Sequence, residues 1–232
     1  MSGFVPLLER NLVAGPHYRA DTRDDREVAQ RVQLIAFYLP QFHRIPENDV
    51  WWGNGFTEWT NVTKALPKFE GHYQPHLPEG LGFYDLKNPD VLREQADLAA
   101  RYGVGGFCFH HYWFSGRPLL QHPIDSLLEA SDIDLPFCIN WANENWTRAW
   151  DGKDREVLIR QEYREEDDRL FAQSLLKYVA DPRYIRIGGR PLIMIYRPSA
   201  LPDARRTVAT LRATFIEAGA GDPYLVMPLA FG

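Results

Sequence analysis

Between Asn140 and Gly152 the chain reads NWANENWTRAWDG, and all seven of its tryptophans fall between Trp51 and Trp150. A hydrophobic core needs large apolar side chains, but it seldom sets Trp beside Asn, Glu, Arg and Asp. Flat aromatic faces with amides and carboxylates between them suit a sugar. The ring stacks on the apolar face of a pyranose while the polar groups bond its hydroxyls. Glu144, at the centre of this segment, is the first candidate for proton transfer, because a carboxyl among aromatics loses solvation and keeps its proton to higher pH. A structural acceptor for Arg148 or for loop amides is its other reading. The segment WWGNGFTEW, from Trp51 to Trp59, adds Glu58 as a second carboxylate, with bracing of its loop as the plainer reading. Glycosidic chemistry uses two carboxylates at a separation that sets the stereochemical outcome. Arg148 and Asp151 read as a pair that holds the Trp-rich loop, or as a phosphate contact with its neutraliser.

The elements that must position these residues are short apolar runs alternating with amphipathic helices. Strands are expected over 32–40, 104–113, 135–142, 190–198 and 223–232. Helices are expected over 88–103, 164–181 and 204–219, with a less regular one over 119–132 broken near Pro123. Asn88 reads as an N-cap, Pro89 as a first helical residue and Gly103 as a stop. Strands separated by helices imply βαβ units and a parallel sheet. No Gly-rich phosphate loop follows any strand, and the long connections follow the first and third strands at their C-terminal ends, where barrel enzymes build their sites. The expected fold is therefore α/β of the (β/α)8 TIM-barrel type, with about five N-terminal strand–helix units present, since a closed barrel typically takes ~250 residues. Residues 1–31 read as a lead-in and 32–232 as the barrel domain. An open sheet edge would invite self-association.

Alternation along the second and third strands sets Cys108, His110, Tyr112, Cys138 and Asn140 on one face and Phe107, Phe109, Phe137 and Ile139 on the other. The bulky apolar set is expected against the helices, with His110 and Asn140 pointing inward near the mouth. His110 would bond a sugar hydroxyl or assist proton transfer, and a satisfied interior histidine is the alternative. The candidate sugar contacts are Tyr38, Trp52, Trp59, His110, His111, Tyr112, Trp113, Asn140, Trp141, Asn143, Trp146, Arg148, Asp151 and Tyr196. The histidines His43, His72, His76, His110 and His111 match no metal-binding spacing, and Asp151 with Asp154 is not a DxD pair, so neither metal nor cofactor is expected. Net charge is -5, which offers nucleic acid no basic field. No run approaches the ~20 apolar residues that span a bilayer. The N-terminus is not a signal peptide and the two cysteines suggest no disulfide framework, so a cytoplasmic location is expected.

Three stretches, AFYLPQFHRIPENDVWWGNGFTEWTNV, GFCFHHYWFSGRPLL and NWANENWTRAWDG, resemble the glycosyltransferase WbsX family, also called the glycoside hydrolase family 99-like domain. The resemblance covers about 32–232. It implies a (β/α)8 barrel acting on bacterial surface polysaccharide of O-antigen or rhamnan type, and related hydrolases that cleave mannosidic linkages with two carboxylates and no metal. Members carry a later Asn-Glu-Trp-Ala-Glu-Gly type motif and a Glu-Pro pair that this sequence lacks. The resemblance thus implies the sugar-binding half, with Glu144 as a substrate contact more than as the catalytic acid. The function expected is a glycosidase-like or glycosyltransferase protein whose partner is an oligosaccharide, a polysaccharide or a nucleotide sugar. The alternatives are a non-catalytic glycan-binding module and a truncated, inactive barrel fragment.

Overall fold

The computed structural model describes residues 13, 15–19, 32–148, 152–164 and 166–229, so most of the lead-in and Asp151 lie outside the described residues. Strand β1 (Leu34–Tyr38) opens the domain. The long connection after it carries two short helices, α1 (Pro46–Trp52) and α2 (Glu58–Lys64). Helix α3 (Pro89–Arg101) then leads to strand β2 (Val104–Phe114), whose end folds back as β3 (Arg117–Leu119). Helix α4 (His122–Glu129), β4 (Phe137–Trp141) and the antiparallel hairpin β5 (Trp146–Arg148) with β6 (Lys153–Ile159) follow. After them come α5 (Asp167–Val179), β7 (Arg186–Ile187), β8 (Arg190–Ile195), α6 (Ala204–Glu217) and β9 (Tyr224–Val226).

Local sequence accounts for the helix ends. Asn88 Oδ1 accepts from the Asp90 amide at 3.0 Å, and Asp203 Oδ1 accepts from the Arg206 amide at 3.0 Å, so α3 and α6 each start on a side-chain cap. Pro123 does not break a helix, contrary to expectation. It sits in the first turn of α4, where its missing N–H has no partner to lose. The other end of α4 is held from a distance. Arg183 donates to the carbonyls of Leu127, Ala130 and Ile133 while pairing with Asp181, which satisfies carbonyls a helix end leaves bare.

The parallel strands lie side by side in the order β1, β2, β4, β8, β9, which is also their order in the chain. Crossovers of one hand that always step the same way put their helices on one face. Ring contacts agree. Tyr38 stacks on Phe107 and bonds Gln95 of α3, while Trp113 and Trp141 pack on Phe171 of α5. Phe107, Phe109, Phe137 and Ile139 are buried in this helix-side core together with Leu92, Leu127, Leu175, Leu211 and Phe215. The fold is thus a mixed α/β fold on a parallel sheet. The sheet is open: among the described residues β1 pairs only with β2, and β9 only with β8.

Candidate functional site

The C-terminal ends of β1, β2 and β4 lead to a cavity of about 210 Å³. Glu58 and Glu144 both line it, with Trp52, Tyr112 and Trp146 as aromatic wall and Asn48 and Gln41 among its polar groups. Each comes from a different place in the chain. Trp52 and Glu58 stand on α1 and α2 after β1, Tyr112 lies near the end of β2, and Glu144 and Trp146 follow β4. The aromatic wall is braced by edge contacts. The Trp146 ring meets Trp51 at 5.6 Å, Tyr112 at 4.9 Å and Phe114 at 5.7 Å.

The two carboxylates have different environments. Burial pushes the Glu58 carboxyl up to about 7, so near neutrality it holds or releases a proton readily. Glu144 accepts from Arg197 Nη1 at 3.1 Å and is ion-paired there. Its partner is therefore Arg197, two residues past β8, and not Arg148. Arg148 pairs with Glu156 across the β5–β6 hairpin and lays its guanidinium 5.2 Å from the centre of the Trp52 ring. The expected Arg148–Asp151 pairing falls on Asp151, which lies outside the described residues.

Asn143 is fully buried. Its Oδ1 accepts from the Arg197 amide at 2.7 Å and its Nδ2 donates to the Arg197 carbonyl at 2.9 Å and to Tyr163 Oη at 3.2 Å. It clamps the backbone that carries Arg197 and borders a second space beside the cavity. His110, Asn140 and Tyr196 lie deeper on the face opposite the helices. The His110 ring is 5.5 Å from those of Phe37 and Tyr196, its Nε2 is 3.4 Å from Asn140 Nδ2, and burial pushes it down to about 4, so it is neutral at neutral pH. These three do not line the cavity of Glu58 and Glu144.

Five expected sugar contacts are placed elsewhere. Tyr38, His111, Trp113 and Trp141 are buried on the helix side, where Trp141 stacks on Phe171 at 4.2 Å and Trp113 Nε1 donates to Asp167 Oδ1 at 3.0 Å. The strand alternation that sends Phe109 and Ile139 toward the helices sends His111, Trp113 and Trp141 with them, and none of these lines the cavity of Glu58 and Glu144. Trp59 donates Nε1 to the Tyr84 carbonyl at 2.8 Å and packs among Phe42, Phe83 and Tyr84, which stiffens the loop after β1. Sequence reasoning missed Asn48, Gln161, Tyr163 and Arg197. None carried a decisive local signal, and Arg197 falls inside the strand expected over 190–198, which ends at Ile195. Among the described residues no three metal-binding side chains gather, and no helix is long and apolar enough to cross a membrane.

A model of the glycosyltransferase WbsX family matches residues 34–231. Proteins called WxcX from two strains of Xanthomonas campestris pv. campestris, themselves uncharacterized, are 52% identical over 198 residues, covering 85% of this chain and 28% of theirs. The chain thus spans little more than a quarter of the length of these relatives. Among solved structures, a GH99 endo-alpha-mannosidase from Bacteroides thetaiotaomicron, in complex with BIS-TRIS-propane, superposes with a TM-score of 0.50 at 17% identity, over 84% of this chain and 52% of that one. A glycoside hydrolase-like protein superposes at 0.51 with 15% identity, over 90% and 55%. At such identities the likeness is one of fold.

Proposed function

The chain belongs to the glycosyltransferase WbsX family, and from that premise we propose that the cavity of Glu58 and Glu144 is the glycan cleft of a carbohydrate-active protein working on bacterial surface polysaccharide of O-antigen type. The observation that carries this reading is the pairing of a half-buried carboxyl pushed up to about 7 with an ion-paired carboxylate in one aromatic-walled cavity. Making or breaking a glycosidic bond needs one group that moves a proton at the bridging oxygen and one that supports positive charge growing at the anomeric carbon. Glu58 suits the first role and Glu144 the second. Trp52 and Trp146 would stack on the sugar while Asn48 and Gln41 bond its hydroxyls.

Transfer and hydrolysis differ in the acceptor, a sugar hydroxyl or water. Arg197 and Arg148 are engaged with Glu144 and Glu156, which supports glycosidase-like chemistry over use of a nucleotide diphosphate donor. The unreversed strand order supports a place for these five units in a (β/α)8 barrel whose site lies at the C-terminal strand ends. The free, buried cysteines Cys108 and Cys138 support a cytoplasmic location.

The test is calorimetry of the purified chain against mannose-, rhamnose- and GlcNAc-containing oligosaccharides and against nucleotide sugars, followed by product analysis. Binding of an oligosaccharide, weakened roughly tenfold in Trp146→Ala, is the expected result, tenfold corresponding to about 1.4 kcal/mol. Glycan binding without turnover would make the chain a binding module. Binding of nucleotide sugars alone would replace the glycosidase-like reading with a transferase, and no binding by a folded sample would sink the cleft itself.

A further inference from the structure

Among the described residues, two that are not glycine take a left-handed backbone, Ser115 with φ 45° and Leu120 with φ 56°. The turn around Ser115 explains it. With Gly116 at φ 89° it forms the two-residue tip of the β2–β3 hairpin, where positive φ angles match the twist of the strands. Leu120 is not so explained. It lies between β3 and α4, where glycine or asparagine would make the same turn with less strain. A leucine in this region is uncommon, and such strain persists where the surroundings hold the side chain in that place.

That place is the wall of the cleft. Leu119 pairs with Tyr112 across the hairpin, and Leu120 follows it into the small apolar cluster of Tyr112, Phe114 and Ala142. Leu120 is buried and lines the cavity of Glu58 and Glu144. Glu58 owes its raised proton affinity to burial, and no charged neighbour contributes. The other titratable groups lining the cavity are Tyr112 and Glu144, the latter ion-paired with Arg197. On α1, Glu47 and Asp49 are paired with Arg117 and Arg44. With no charge setting the Glu58 proton, the exclusion of water by the apolar lining does so.

We propose that Leu120 is a positioning residue for the cleft: its left-handed backbone turns an apolar side chain into the cavity wall, where it keeps water from Glu58. This rests on the reading of Glu58 as the group that moves a proton, and adds to it the residue that sets the pH at which that group works. Phe56 and Leu158 are apolar lining too, but neither takes a strained backbone to reach the cavity. The residues that suit the Leu120 backbone best are therefore the ones that should serve Glu58 worst.

The experiment follows the Glu58 carboxyl by carbon-13 NMR across a pH titration, with Glu58→Gln to assign its signal. The proteins compared are the wild-type chain, Leu120→Asn, Leu120→Ala and Leu120→Met. Asparagine tolerates the left-handed backbone and makes the wall polar, alanine opens room for water, and methionine keeps the wall apolar. The wild type should titrate near 7. Leu120→Asn and Leu120→Ala should lower the midpoint by about one pH unit or more, toward the ordinary carboxyl value, while Leu120→Met leaves it nearly unchanged. A purely structural leucine would alter thermal unfolding without moving the midpoint, and that outcome sinks the proposal. So does a midpoint that moves as far in Leu120→Met. Where Leu120→Asn does not fold, the milder Leu120→Ala decides. A wild-type midpoint at the ordinary value removes the premise and the inference together. Calorimetry with oligosaccharides on the same samples keeps the two readings apart. Glycan binding with no Leu120 effect leaves the cleft and ends this inference, whereas a Leu120 effect without glycan binding upholds the wall around Glu58 and ends the glycan reading.

Discussion

Glu58 keeps its proton because the cavity around it offers little water, and burial is the dominant cause of its shift. The consequence for stability has a definite sign. In the unfolded chain the carboxyl ionises near 4.5, in the folded chain near 7. Between these values the native state holds more protons, so stability falls as pH rises through the window and is lowest above it. Glu58→Gln removes this fall. Chemical denaturation of wild type and variant between pH 4 and 8 should give stability curves that converge at the acid end and separate toward neutrality, with the variant more stable. Parallel curves would mean that Glu58 titrates as an exposed carboxylate. At this scale the sequence was legible in residue type more than in direction. Glu58, Glu144, Trp52 and Trp146 share a cavity as their chemistry suggested, but Trp141 and Trp113 looked equally apt and face the helices. The strand alternation contained that answer. Aromatic density in the segment outweighed it. The Glu144–Arg197 pair spans 53 positions, and no local pattern announces a contact of that range.

Elements bring such distant residues together only where their backbones approach closely enough. A Cβ on Gly106 of β2 would lie 2.7 Å from the Pro136 carbonyl oxygen and 2.9 Å from Ile185 Cδ1. The backbone oxygen cannot step aside without moving the entry to β4. At neighbouring Gly105 the nearest atom is Gln33 Cγ at 2.8 Å, on an exposed side chain that can turn away by giving up its hydrogen bond to the Gly105 carbonyl. Gly106→Ala should therefore destabilise by roughly 1–3 kcal/mol, the usual cost of overpacking, and Gly105→Ala by clearly less. Equal losses in urea unfolding would refute the close approach. Asn143 plays the matching part at the other end of β4. Asn143→Ala strips a partner from the part-buried Arg197 amide and carbonyl, at roughly 1–3 kcal/mol, the range for a buried polar group left bare, and should loosen Arg197 from Glu144. Unchanged stability would mean that water replaces the clamp. The first four parallel strands and the four long helices were read from sequence to within a few residues because caps and apolar runs are local signals, whereas the strand expected over 223–232 is observed only over Tyr224–Val226. The β5–β6 hairpin, the short strands β3 and β7 and the two short helices after β1 were not, since tertiary packing and pairing, and not periodicity, hold them.

At the scale of the molecule, the sheet leaves work undone at both sides. β1 and β9 each have one neighbour among the described residues, and around them Phe37 is 53% exposed, Met227 58% and Leu229 fully so. On the face opposite the helices, His110 Nδ1 and Asn140 Oδ1 are buried without hydrogen-bond partners. Unpaired strand edges beside apolar surface are templates for further pairing, and the chain spans only about half of the structures it resembles. In isolation, at tens of micromolar, it should associate through these edges. Sedimentation velocity should show a mean mass that rises with concentration. Phe37→Lys with Met227→Lys should return it toward a monomer, because a buried lysine at each edge would have to lose its hydration in the paired state. Glycan binding separates this edge effect from the cleft: the two edge residues do not line it, so the double variant should keep the oligosaccharide affinity of the wild type. A chain that stays monomeric at every concentration would show that the open edges are already protected, and an affinity that falls with dissociation would show that the cleft is completed by the chain that pairs with them.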